Sequence, residues 1–186
     1  MSKQAMLILL GVIGIVVIWF FVVNNKIVAA HENCAGSWAQ VETVLQRRYD
    51  LIPNLVNTVK GYAAHEKGLF EEITRLRSQW GAAKTVAEKT RAAGELEGGL
   101  ARLLLVAEQY PDLKASSNFR ELQYELAGTE NRITVERQRY NDAIRTYNTT
   151  IRQFPGSVVA SIRNFQPNSA YFESKPNAKD APVVQF

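Results

Sequence analysis

The stretch Leu45–Glu66, LQRRYDLIPNLVNTVKGYAAHE, carries its apolar rhythm straight through a proline. Counted from Trp38, the positions Val41, Leu45, Arg48, Ile52, Leu55, Val59 and Tyr62 alternate steps of three and four, the spacing of a single helix face. Pro53 lies off that face. It leaves the Tyr49 carbonyl without its helical donor, a loss of about 3 kcal/mol that something must offset. The same phase continues through Leu69, Ile73, Leu76 and Trp80. It therefore predicts one long kinked helix from Trp38 to Trp80, about 65 Å in length; a break near His65 is the alternative.

Downstream, Gly81–Thr85 (GAAKT) loses the phase and reads as a connection, with Thr85 as a cap for the next helix. That helix sets Ala93, Leu96, Leu100, Leu103, Ala107 and Tyr110 on one face before Pro111, with Gly94, Gly98 and Gly99 weakening its first half. A third begins at Ser116 or Ser117 and runs to about Gln153, its seam formed by Phe119, Leu122, Leu126, Thr129, Ile133, Glu136, Tyr140, Ala143, Tyr147, Thr150 and Phe154. This heptad pattern leaves one side apolar, as in the other two helices, and each must bury that side against the others. Ser157 to Asn164 forms a short fourth helix after Pro155-Gly156. The fold class expected is all-α: an N-terminal transmembrane helix, then an antiparallel bundle of three long helices plus a short fourth.

Upstream, every residue from Ala5 to Val23 is apolar or glycine, and about 20 such residues span a bilayer as a helix. A signal peptide, with Val28-Ala29-Ala30 as a loose cleavage site, is the competing reading; its apolar region is typically about 7 to 15 residues. The resulting organisation is a short tail over 1–4, a transmembrane helix over 5–25 in the lipid bilayer, a bundle over 26–165 and an extended tail over 166–186. Tyr171, Phe172 and Phe186 are placed to pin that tail to the bundle. Lys3 and Lys26 flank the span almost evenly, so the charges favour neither orientation.

The net charge of +4 and pI of about 9.2 raise nucleic acid or anionic lipid as partners. The bases are interleaved with acids, as in EEITRLR and TENRITVERQR, which marks solvated helix faces and argues against nucleic acid. The single cysteine, Cys34, reads as a bystander or an intermolecular contact. His65-Glu66 lacks the second histidine of a zinc-protease helix. GELEGG (Gly94–Gly99) lacks the Lys-Ser/Thr ending of a phosphate loop. No catalytic residue, metal or cofactor is expected.

What stands out is polar residues on the apolar seams. Arg48 and Glu136 occupy hydrophobic positions; either their stems are buried with the charge in water, or they fix register or meet a partner chain. Tyr140-Asn141 and Tyr147-Asn148 repeat after seven residues, as do Arg145 and Arg152. That spacing either packs the tyrosines into the core beside exposed arginines or forms a Tyr/Arg binding stripe.

LQRRYDLIPNLVNTVKGYAAHE, YPDLKASSNFRELQYELAGTENRI and RQRYNDAIRTYNTTIRQFP together closely resemble the three motif blocks of the LemA family, over roughly Trp38 to Phe186. The resemblance implies an antiparallel helical bundle attached to the bacterial cytoplasmic membrane, with the short N-terminus outside, and a molecular role that is not established. It supplies no catalytic residues. The function expected is a single-pass, non-enzymatic scaffold or interaction protein that self-associates, because a 65 Å first helix would leave apolar seam uncovered. Alternatives are an enzyme accessory site built from Arg47, Arg48, Asp50 and His65, and anionic-lipid or nucleic-acid binding by Arg132, Arg137, Arg139, Arg145 and Arg152.

Overall fold

A computed structural model describes residues 2–172. Six helices follow in order: α1 (Lys3–Lys60), α2 (Lys67–Ala82), α3 (Val86–Ala107), α4 (Pro111–Ala115), α5 (Ser117–Arg152) and α6 (Gly156–Arg163). The second half of α1, with α2, α3 and α5, forms an up-down-up-down bundle. α1 and α5 make the main antiparallel pair, with Trp38 against Tyr140 and Arg48 against Glu130. α2 and α3 form a hairpin laid beside them.

α1 is unbroken from the apolar segment into the bundle, 58 residues or about 87 Å at 1.5 Å per residue. Residues Met6 to Ile18 are exposed, whereas Val23, Ile27, Cys34, Val41 and Leu45 are buried. The Val28-Ala29-Ala30 triplet thus lies inside a helix whose preceding turns already belong to the core.

The expected continuous helix from Trp38 to Trp80 is corrected. α1 stops at Lys60, and α2 starts at Lys67 and folds back antiparallel to it. Ala63 and Ile73 are both buried, so the apolar phase is kept while the direction reverses. Gly61 and the turn to Glu66 allow the reversal because burying the α2 face against α1 and α3 outweighs helix continuity. With α2 so packed, the uncovered seam inferred from a 65 Å helix does not exist.

The other boundaries agree with the sequence. Thr85 caps α3 in a reciprocal capping box: its hydroxyl accepts from Glu88 N–H, and the Glu88 carboxylate accepts from Thr85 N–H. Those backbone donors lower the Glu88 pKa. Gly99 does not break α3; a Cβ there would sit 3.3 Å from Leu76 Cδ1, so the glycine sets the close approach of α2. Pro111 opens the one-turn α4, and Ser116 precedes α5 without a side-chain cap bond.

Candidate functional site

Arg48 and Glu97 are the charged residues buried most deeply among those described, at 9% and 6% exposure. Arg48 rises from the apolar face of α1 and pairs with Glu130 of α5. Glu97, on α3 between Leu96 and Leu100, accepts from Arg137 of α5 at 2.6 Å. Burial lowers the Arg48 pKa, and the Glu97 charge opposes that shift. Two cations and two carboxylates thus tie α1 and α3 to α5 across the middle of the bundle. Buried charge is tolerated only with such pairing.

Arg48, Glu97 and Glu130 floor a groove of about 390 Å³ between α3 and α5, walled by Leu100, Ala101, Leu104, Leu126 and Ala127. Further along, Glu97 and Arg137 face a second opening whose far wall is the chain segment Ser169–Phe172. That segment is extended and held by α5. Asn148 Nδ2 donates to the Asn168 carbonyl at 2.7 Å and its Oδ1 accepts from Asn168 N–H at 2.9 Å; Asn141 forms the same pair of bonds with Phe172, both at 2.9 Å. Tyr147 OH donates to the Gln166 carbonyl at 2.9 Å. Phe172 stacks on Trp38 and meets Tyr140 edge-on, with the Arg137 guanidinium 4.9 Å over its ring.

The seven-residue repeat is therefore a clamp for the chain's own tail. Tyr140 and Tyr147 are buried, and burial raises the pKa of each. Asn141 and Asn148 read the tail backbone as a neighbouring strand would. Arg145 is exposed and pairs with Asp142 one turn away, and Arg152 is exposed. The tyrosines thus face the core and tail while the arginines face outward. Glu136 pairs with Arg139 on its own helix, so of the two seam charges only Arg48 bridges helices. Tyr171 accepts from Asn148 at 3.0 Å, and Phe172 pins the tail as expected; Phe186 lies outside the described residues.

The sequence matches the LemA family over residues 37–186. The chain belongs to the LemA family. Two LemA-like relatives in Paramagnetospirillum magneticum, named magnetosome protein MamQ 2 and magnetosome protein MamQ 1, are each 29% identical to it, the alignment covering 86% of this chain and 68% of theirs. Magnetosome protein MamQ of Magnetospirillum gryphiswaldense is 27% identical with the same coverage.

In this LemA-family chain the four residues of the expected accessory site are not brought together. Arg48 is buried; Arg47, Asp50 and His65 are exposed, with His65 on the turn after α1. Arg47 reaches Glu125 at 3.4 Å. Among the described residues no group of three or more His, Cys, Asp or Glu side chains is placed to hold a metal. Cys34 is buried with its thiol donating to the Ala30 carbonyl, which removes the intermolecular reading; burial raises its pKa. Among the arginines, Arg137 is committed to Glu97, Arg139 to Glu136 and Arg145 to Asp142. Sequence reasoning missed Glu97, Glu130 and Arg77. The available signal for Glu97 was an acid four residues after Ala93 and three before Leu100, inside the apolar stripe.

Proposed function

We propose that this chain is a single-pass, membrane-anchored, non-enzymatic scaffold that presents its bundle at a bacterial cytoplasmic membrane and associates with further copies of itself. The observation that carries the reading is the unbroken α1, whose apolar run over 5–23, exposed as far as Ile18, passes directly into the bundle core. A helix of that composition is stable in hydrocarbon and strongly unfavourable in water. Cleavage at Ala30 would remove Val23 and Ile27 from the core, which supports an uncleaved anchor over a signal peptide.

Arg48, Glu97, Arg137, Asn141 and Asn148 are engaged in holding helices and tail, which supports a structural role over a catalytic one. The relatives are named for the magnetosome and not for a reaction, and that emphasis is extended to this chain. Self-association draws on the open end of the α3/α5 groove, where Leu100, Leu104 and Leu126 line the walls and Leu105 is exposed beside it. The test is the mass of the full chain in lipid nanodiscs over a range of protein-to-disc ratios, with cysteine crosslinking from Ala101→Cys and Ala127→Cys. Stoichiometry above one with crosslinks at these positions supports the reading. A monomer at every ratio overturns self-association, and recovery of the chain in a carbonate-soluble fraction of cells overturns the anchor.

A further inference from the structure

The turn after α5 and the helix α6 present an apolar face that the bundle does not cover. Phe154, Val158 and Ile162 recur every fourth residue and are 79%, 44% and 65% exposed, while Val159 and Ala160 on the other side are buried. α6 packs against both α5 and α1. The Phe154 ring lies 6.4 Å from the ring of Trp19. Trp19 is four residues inside the end of the apolar run at Val23, about 6 Å along the helix axis. The Phe154 end of the exposed face is therefore level with the end of the apolar run.

Charge gives a second, independent observation. Between Asp142 and Glu173 the sequence contains no acidic residue but does contain Arg145, Arg152 and Arg163. Arg152 and Arg163 bracket the apolar face and are exposed, as is Lys26 just beyond the span. An apolar stripe with basic flanks, held at the boundary of a membrane span, has the composition of a helix lying in the lipid interface. Such a helix buries its apolar side about 5–10 Å into the headgroup boundary, the depth that contact with Trp19 imposes.

We propose that α6 is an interfacial membrane helix: Phe154, Val158 and Ile162 enter the lipid beside the anchor, and Arg152 and Arg163 bind anionic headgroups. Two attachments to one lipid surface, the span and α6, would fix the tilt of the bundle, which a single flexible span does not. The proposal rests on residues 5–23 being an anchor.

The full chain is reconstituted in vesicles of phosphatidylcholine with or without phosphatidylglycerol, carrying an NBD fluorophore on single introduced cysteines; Cys34 is buried and stays in place. Val158→Cys and Ile162→Cys are compared with Ile13→Cys in the span and Tyr124→Cys, exposed on α5. Quenching by doxyl-labelled lipid at 13, 158 and 162 but not at 124 is the expected result. Quenching at 13 with 158 and 162 behaving like 124 overturns the interfacial helix and leaves the anchor intact; no quenching at 13 overturns both. Crosslinking of 158 to 158 between copies, without quenching, assigns the face to a second chain and overturns the proposal. In Arg152→Gln/Arg163→Gln, quenching at 158 in phosphatidylglycerol vesicles falls to the level in phosphatidylcholine alone. Unchanged quenching overturns the headgroup contacts.

Discussion

The Arg77 guanidinium of α2 donates from Nε to the Tyr49 carbonyl at 3.2 Å, the acceptor that Pro53 leaves without a helical N–H. α1 passes through the proline as a continuous helix because its missing hydrogen bond is replaced from a neighbouring helix. The same turn places the Tyr49 ring edge-on to Trp80, 4.4 Å between centroids, and Arg77 3.9 Å from Asp50. Pro53 thereby becomes the docking point for α2.

Arg77→Ala is expected to destabilise the bundle by about 1–3 kcal/mol, the cost of stranding a part-buried acceptor. In a Pro53→Ala background, where the intrahelical bond returns, the same substitution costs distinctly less. Thermal melts of the four proteins in detergent, followed by circular dichroism, measure the difference; additive effects would exclude the coupling.

Glu97→Ala leaves the Arg137 charge without its carboxylate and removes one support of Arg48; a loss of about 3 kcal/mol is expected. Glu130→Ala costs less, because the Glu130 side chain is 44% exposed and water screens its pairing. Denaturant midpoints rank the two, and a larger effect at Glu130 would contradict the network.

Asn148→Ala, and to a lesser degree Asn141→Ala, is expected to release the extended segment from α5 while the bundle stays folded. Hydrogen exchange at the amides of Asn168 and Phe172, which these side chains accept, reports it directly. Exchange unchanged from the parent chain would show that Phe172 stacking alone holds the tail.

Gly156→Ala drives a Cβ into the Thr150 carbonyl oxygen. Backbone on both sides leaves no flexible atom to yield, so the α5–α6 turn must open. A drop in melting temperature, together with faster proteolysis between Gln153 and Val158, is the expected outcome.

Burial raises the Tyr49 pKa above its usual value near 10, so the folded state favours the neutral phenol. A raised folded pKa means this contribution is fully present below about pH 10 and is lost as pH rises above it. Tyr49→Phe should reduce the alkaline loss and cost little at pH 7, since the hydroxyl has no hydrogen-bond partner among the described residues. Melts at pH 7 and pH 11 check both parts.

By itself the sequence determined the class, the apolar N-terminal helix and most helix boundaries, because these follow from local composition, periodicity and caps: Val41 to Val59 as one face, Thr85 as a cap, Pro155-Gly156 as a stop. It also singled out Pro53 and Arg48 as positions in need of partners. Only the tertiary structure supplied them, as Arg77 for the Tyr49 carbonyl and Glu130 for Arg48, each far away along the chain. The reversal at Gly61 was likewise decided in three dimensions: a helix phase that continues through a turn looks identical in sequence whether the next segment runs on or folds back. Burial of Ile73, Leu76 and Trp80 against α1 and α3 settles the choice. The Tyr-Asn repeat carried the right spacing without its meaning, because a side-chain amide that clamps a tail backbone is legible only once the tail has been laid beside it.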